Sequence, residues 1–598
     1  MAKKKKSIVN DITRRTFIAG AAALGGAALL HPLGGCKKDS KPVGGDIPAE
    51  RSAASKEVTV TGSPAGRLLL KKGLVIDGTG KKSFIGDVLV NGNTIEAVTT
   101  NDLKFPGRTI DCAGKVIAPG FIDAHSHNDW AMARRDHSKF TNAFTAQGIT
   151  TFVTGNCGFG AGGFEKNTRF KDLIEKGGKL FNNTNIPWSS MDEYFALVRS
   201  QGLTHNMVNL TGHGTSRMSI RGFKPTPMNK EEMKKLLSLL NDAMEQGCYG
   251  VSLGLQYEPG IFATDEELKQ IAQLVKKHDR VLTVHLKAYS SLSPTYPIIP
   301  FGKAHNLLAL NEMLKLARET GVRLEVSHLI FVGSDTWDTC GKALDMIDKA
   351  ARDGVDVKFD TYAYHCGASI INVILPAWFL GRVPEVFNDK SALRRLKIEF
   401  MVIKKLLGFG YEDIQITNAG KPDLDKYNGM FLEEIAKSRN MDQFDNYIDL
   451  AKRTEGKAGV LNHRYSNLEN IKDLMSHPAA LFMTDAWVAP EGVQNPAAFG
   501  CFPKFLQYAR DFRNISIEEA VRKMTGATAE RFNVKKRGFL REGYAADIAI
   551  FDWKAVKDNN TDKNTNMAPS GIEAVFINGK QVVDKGKVDG SILAGMVL

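Results

Sequence analysis

His125 and His127 stand two residues apart in the run Phe121-Ile122-Asp123-Ala124-His125-Ser126-His127. On a strand, alternate side chains share a face, so both imidazoles point the same way and can grip one metal ion. Further along, His285 ends Val281-Leu282-Thr283-Val284-His285, His328 ends Leu324-Glu325-Val326-Ser327-His328, and Asp485 ends Leu481-Phe482-Met483-Thr484-Asp485. One histidine at a strand end is usually a satisfied core or surface residue. Three histidine-bearing strand ends and an aspartate, in this order, are not easily explained as scatter. Imidazoles joined by a carboxylate suit a divalent cation, and such an ion promotes attack by water.

Residues so far apart in sequence share a site only if a scaffold brings their strand ends together. Between residues 119 and 535, apolar strand-like runs alternate with amphipathic stretches, the signature of a β/α architecture with parallel strands. Strands are predicted to end near His125, Gly155, Thr211, Leu253, His285, His328, Asp360 and Asp485. Helices are predicted over 230–246, 265–278, 309–320, 340–352 and 467–475. Eight strands close a (β/α)8 TIM-like barrel, whose active groups gather at the carboxyl ends of the strands. The stretch 384–478 leaves the seventh strand open, because 414–417 and 460–463 also read as strands. At both ends of the chain, short apolar runs are broken by turn signals such as Asp77-Gly78, Asn91-Gly92 and Asn578-Gly579. Neither end has enough apolar surface to fold alone, so 67–118 and 536–598 are expected to form one small β-sandwich flanking the barrel at 119–535.

The approach Ala118-Pro119-Gly120-Phe121-Ile122-Asp123 to the His-x-His pair closely resembles the first-strand signature of the amidohydrolase superfamily. Within it, Thr150-Thr151-Phe152-Val153-Thr154-Gly155-Asn156-Cys157-Gly158 resembles the D-aminoacylase (N-acyl-D-amino-acid deacylase) family. So do Thr211-Gly212-His213-Gly214-Thr215-Ser216-Arg217, Ser252-Leu253-Gly254-Leu255-Gln256-Tyr257-Glu258-Pro259-Gly260 and Arg541-Glu542-Gly543-Tyr544-Ala545-Ala546-Asp547. The likeness spans roughly residues 67–598. It implies that Cys157 replaces the carboxylated lysine that bridges two metals elsewhere in the superfamily, and a thiolate favours zinc over magnesium or calcium. It further implies that Cys157, His285 and His328 hold one tight Zn2+, while His125, His127 and Asp485 frame a second, weaker site. Asp485 would be the catalytic base in hydrolysis of an N-acyl-D-amino acid to a carboxylate and a D-amino acid. For the substrate, Lys287 and Arg217 are candidates to hold the α-carboxylate, Tyr257 falls where the family places a tyrosine near the substrate, and Ser369 closes a hydroxyl-rich run that begins at Tyr362. The chain departs from the family at Ile330, where many relatives have a lysine, and at Asn495-Pro496, commonly His-Pro.

The first 36 residues read as a targeting segment: Lys3 to Lys6, the pair Arg14-Arg15, then an apolar run from Ala19 to Leu30 too short to span a bilayer. The arginine pair resembles a twin-arginine export signal. Leu33-Gly34-Gly35-Cys36 resembles a lipobox, which implies lipidation of Cys36 and an exported lipoprotein, periplasmic or at the cell surface, with residues 37–66 as a flexible tether. Of the formal charge of +13, five belong to this leader, and the remaining basic residues are interspersed with acids, so nucleic-acid binding is not expected. Hydrophobic residues at 43% and charged residues at 24% describe an ordinary globular chain. Apart from Cys36 and Cys157, the cysteines are expected to be buried thiols. Two other readings remain open from sequence: hydrolysis of another linear or cyclic amide, such as a dipeptide or hydantoin-like ring, which Ile330 favours, and a catalytically inactive lipoprotein with a binding role.

Overall fold

The computed structural model describes residues 54–182, 185–293, 295–297, 302–562 and 564–598. Residues 1–53, with the expected export leader, Cys36 and most of the expected tether over 37–66, lie outside the described residues; within the remainder of that expected tether Glu57–Thr59 is a short strand paired in parallel with Asp102–Lys104, so this part is tied to the flanking unit. Among the described residues, no helix is long and apolar enough to cross a membrane.

Eight parallel strands line the catalytic unit: Phe121–Asp123, Ile149–Thr154, a third in two pieces, Asn206–Asn209 and Thr211–Gly212, then Gly250–Gly254, Val281–His285, Arg323–Val326, Val357–Thr361 and Ala480–Phe482. Their sequences, Ile-Thr-Thr-Phe-Val-Thr for the second and Val-Leu-Thr-Val-His for the fifth, are rich in β-branched residues and buried along their whole length. Strands covered on both faces need such continuous apolar runs. The third strand changes partner at Leu210, whose N–H bonds Thr154 O at 2.8 Å, while Tyr249 N reaches back to Asn209 O at 2.8 Å. Asp485 N donates to His125 O at 2.9 Å and Ala124 N to Phe482 O at 3.3 Å, so backbone bonds join the last strand to the first. The fold is a (β/α)8 barrel, and every strand delivers its carboxyl end to one mouth.

The intervening helices start on local chemistry. Asn229 and Glu232 form a reciprocal capping box at the head of Lys230–Glu245, and Thr264 caps Asp265–Lys277 through Glu267 N. Each helix then buries one apolar stripe, Leu236, Leu240, Ala243 and Met244 in the first case, Leu268, Ile271, Ala272 and Val275 in the second.

The sequence left the seventh strand open, and the structure resolves it. Ile414–Asn418 and Gly459–Asn462 are strands, yet they pair antiparallel with each other, and Gly459–Asn462 pairs antiparallel with Gly367–Ile370 on its other edge, in a separate three-stranded sheet. This sheet and the helices Lys390–Leu407, Leu432–Ser438 and Gln443–Arg453 form an insertion between the seventh and eighth barrel strands. It has a core of its own that includes Leu396, Phe400, Ile416, Tyr447 and Val460.

The two chain ends meet in one nine-stranded sheet, where Val116–Pro119 runs antiparallel to Ile548–Phe551. Alternation along these strands serves two cores. Ile117, Ile548 and Ile550 face a cluster with Leu70, Val88 and Phe576, while Val116, Ala118, Ala549 and Phe551 join the core of the barrel.

Candidate metal centre

Six of the sequence candidates converge at the barrel mouth. His125 and His127 follow the first strand, Cys157 the second, His285 ends the fifth, His328 follows the sixth and Asp485 the eighth. Two groups of donor atoms lie close enough to hold an ion: His125, His127, Cys157 and Asp485, and Cys157 with His285 and His328. Cys157 belongs to both. Its Sγ is 3.3 Å from His328 Nε2, 3.4 Å from His125 Nε2 and 3.7 Å from His285 Nδ1. Sulfur and nitrogen ligands of a tetrahedral zinc stand about 3.3–3.6 Å apart, so this spacing fits one. His285 Nδ1 and His328 Nε2 are closer, 2.7 Å, a contact that a shared ion would part. Asp485 Oδ1 lies 3.3 Å from both His125 Nε2 and His127 Nε2.

The turns that carry these side chains are unusual. Cys157, His328 and Asp485 have φ of +52°, +33° and +49°, the left-handed region that side chains bearing a Cβ enter only under constraint. The chain around Cys157 is packed too closely to relax: a Cβ on Gly155 would meet Leu210 O at 2.2 Å, and one on Gly254 would meet Cys157 O at 2.2 Å. Those glycines let the second strand's turn sit against the third and fourth strands and aim Sγ inward.

Burial governs the electrostatics. It pushes His125 down to about 3 and His328 down to about 4, and lowers His285 further with help from the neighbouring imidazoles. Burial drives the Cys157 thiol well up, aided by Asp485 and Asp360, so a cation against Sγ is what would hold it as a thiolate. For Asp485 burial works upward, but His328, His127 and His125 together outweigh it and hold the carboxyl below its usual value. Sulfur, imidazole and carboxylate donors, neutral or anionic, buried and unbalanced by a cation in their midst, are a fit for a divalent metal.

Sequence reasoning passed over the residues behind these donors. Asp360, at the end of the seventh strand, accepts a hydrogen bond from His328 N and lies 3.4 Å from His125 Nδ1. Gln256 Oε1 is 3.0 Å from His285 Nε2, and Asp123 holds Thr484 beside Asp485 through bonds of 2.6 and 2.9 Å. These contacts orient the rings and the loop that would face an ion. Asp360 had been marked only as a strand end, and a lone strand-end aspartate carries no other signal.

The proposed substrate residues divide. Tyr257 hydrogen-bonds His285 Nδ1 and lines the cavity above the cluster, as does Ser369. The two cations do not. Arg217 is fully buried in the helix His213–Arg221, bonded to Glu267 at 3.0 Å and to the carbonyls of Pro259 and Phe262. Lys287 turns to Glu312 at 3.2 Å. Neither is part of the cavity wall, because each is spent on a neighbouring carboxylate. Asn495, in place of the common histidine, donates to Asp485 O at 3.4 Å. The six cysteines from Cys112 onward are unpaired and buried.

A parallel β/α barrel with a His-x-His pair after its first strand, histidines at the fifth and sixth, and an aspartate after the eighth is the arrangement that the resemblance to the amidohydrolases implied. Residues 425–583 match the family model described as Amidohydrolase family. The chain is 27% identical over 519 residues to the D-aminoacylase of Alcaligenes xylosoxydans xylosoxydans, covering 86% of this chain and 94% of that one. It is similar to the crystal structure of the N-acyl-D-glutamate deacylase from Bordetella bronchiseptica, complexed with zinc and a phosphonate that mimics the tetrahedral intermediate. There the TM-score is 0.72 and the identity 27%, with 89% of this chain and 99% of that chain covered. A D-aminoacylase with a binuclear metal centre, described as activated by one metal and attenuated by the second, aligns with a TM-score of 0.71 at 26% identity over the same shares. The chain is therefore similar to the amidohydrolases, and within them to D-aminoacylases and N-acyl-D-amino-acid deacylases along most of its length.

Proposed function

We propose that the chain hydrolyses the amide of N-acyl-D-amino acids, using zinc held by Cys157, His285 and His328, with His125, His127 and Asp485 framing a second, weaker position. The observation that carries this reading is the thiol shared between the two donor groups, in a chain similar to deacylases along most of its length. A bound divalent ion supplies Lewis acidity, which polarises an acyl carbonyl and acidifies water. Asp485, held ionised by the imidazoles around it, takes the proton from the attacking water as the new C–O bond forms. It returns that proton to the nitrogen as the C–N bond breaks, because an amine departs poorly unless protonated. The products are a carboxylate and a free D-amino acid. Tyr257, bonded to His285 and part of the cavity wall, is the side chain we assign to contact the substrate.

The experiment is release of free amino acid from paired N-acyl-D and N-acyl-L substrates by the zinc-loaded protein. D-selective release is expected, and Asp485→Asn is expected to keep its metal and lose at least a hundredfold in kcat, in line with the usual contribution of a general base. Ring opening of a hydantoin without amino-acid release, or wild-type turnover in the variant, would defeat the reading.

We also infer export and lipid anchoring through Cys36, supported by the arginine pair and the lipobox-like run of the leader. In a bacterial host, the full chain is expected in the membrane fraction with labelled palmitate, and Cys36→Ala in the soluble fraction without it. Equal partition of the two would refute anchoring.

A further inference from the structure

The donor cluster opens into a cavity of about 1570 Å3, larger than the roughly 300–1,000 Å3 of pockets that enclose drug-sized ligands. A short N-acyl amino acid would leave most of it unfilled. The wall is mainly apolar, and its two sides differ. In a ring of eight strands taken in order, the loops after the first and second strands face those after the fifth and sixth. On the first side the helix Lys171–Leu180, which follows the second strand, brings Lys176 and Lys179 to the wall. On the opposite side Leu292 follows the fifth strand, and Ile330 and Val332 follow the sixth. Val332 packs against both the barrel core and the core of the insertion, and Leu292 packs against the latter. The lining continues there into Val383, Phe400, Ile403 and Leu407. The closeness of this junction is shown at Gly333, where a Cβ would meet Leu407 O at 2.2 Å. The four lysines on this side are engaged within the insertion: Lys404 with Glu412 at 2.8 Å, Lys457 and Lys421 with Glu455 at 2.8 and 3.3 Å, and Lys452 with Asn388 Oδ1 at 2.8 Å.

We infer that the apolar extension beneath the insertion receives a long acyl chain, so that the preferred substrates are N-fatty-acyl amino acids whose carboxylate points towards Lys176 and Lys179. This rests on the reading of the chain as an N-acyl-D-amino-acid hydrolase. The amide must lie at the donor cluster, between the two sides. The anionic end is then drawn to the lysine-bearing wall, and the acyl group is left to the apolar one. Ile330 belongs to that apolar wall, buried and facing the cavity. Each methylene moved from water into such a surface adds up to about fourfold to binding.

The test uses the zinc-loaded full chain and N-acetyl, N-octanoyl and N-lauroyl derivatives of whichever D-amino acid is best cleaved as its acetyl form. kcat/KM is expected to rise at least tenfold from acetyl to lauroyl. Ile403→Asp and Val383→Asp, at half-buried positions of the insertion wall, are expected to cancel that gain and to retain the acetyl rate, which also reports that they fold. Calorimetry with laurate supplies a readout separate from turnover: the wild-type chain binds it and the two variants bind at least tenfold more weakly. Acetyl turnover with no rise along the series overturns this inference alone, as does a preference governed by the amino-acid side chain instead of the acyl group. Absence of turnover on every N-acyl-D substrate removes the parent reading and this one together.

Discussion

At the scale of single residues, the site is a set of donors held in conformations that side chains avoid. Left-handed backbone at Cys157, His328 and Asp485 costs on the order of 1–3 kcal/mol each and persists where the surroundings leave no alternative. Such strain is useful if it aims donors at a common point before an ion arrives. Cys157→Ala removes the one donor common to both groups, and less than about a tenth of a zinc per chain is expected after mild purification, measured by elemental analysis. Unchanged zinc content would end the assignment of Cys157 as a ligand. Asp360→Ala leaves all six donors in place but frees His328 N and the side of His125, so zinc affinity is expected to fall roughly 10- to 100-fold by chelator competition. An affinity equal to wild type would show that Asp360 does not orient the rings. The histidines and Asp485 were legible because they fall at strand ends where a barrel needs them, and Cys157 only through the family resemblance of the run around it. Asp360 was not, since only its distance to His125 distinguishes it from an ordinary cap.

At the scale of elements, legibility followed the length and purity of the periodic signal. The helix over 340–352 was read to its ends, because Ala343, Ile347 and Ala350 recur on one face and nothing competes with them. The helix His305–Thr320 begins four residues earlier than its apolar pattern suggests, since His305 and Asn306 are buried polar residues that a hydrophobic count passes over. His305 is engaged with Ser293, and Asn306 with Thr339 at 2.7 Å. The insertion was the least legible part. Its strands carry the same apolar runs as barrel strands, and nothing within them says that their partners are antiparallel neighbours rather than the sixth or eighth strand. The pairing of Ile416 with Val460 is a long-range fact, decided by a second core that no local window contains. The expectation of carboxylate-binding roles for Arg217 and Lys287 failed for a related reason. A cation's partner is chosen in three dimensions, and Glu267 and Glu312 reached them first.

At the scale of the whole molecule, the sheet built from the chain ends is tied to the barrel by a buried polar knot and a terminal strap. Asp547 accepts from Asn206 at 3.0 Å and from Asn578 N at 2.7 Å, and pairs with Arg537. Asn206 lies on the third barrel strand, so the knot links the flanking sheet to the catalytic unit directly. Beyond it the last residues run back along that strand: Gly595 N bonds Leu203 O at 2.7 Å, Met207 N bonds Met596 O at 2.8 Å and Leu598 N bonds Met207 O at 3.0 Å. The strap passes so close that a Cβ on Gly595 would stand 2.0 Å from His205 O, a backbone atom that cannot rotate away. Gly595→Ala is therefore expected to lift the strap from the third strand at a cost of about 1–3 kcal/mol, the usual range for overpacking. Because the strap lies at the far end of that strand from the donor cluster, the loss is local, and turnover should stay within about twofold of wild type. Amide hydrogen exchange reads the difference directly: Met207, Gly595 and Leu598 are expected to exchange roughly five- to a hundredfold faster, while amides of the fifth and sixth strands hold their protection. Unchanged exchange at these three positions would mean that the strap contributes nothing to the joint, and that the polar knot around Asp547 holds the sheet to the barrel alone.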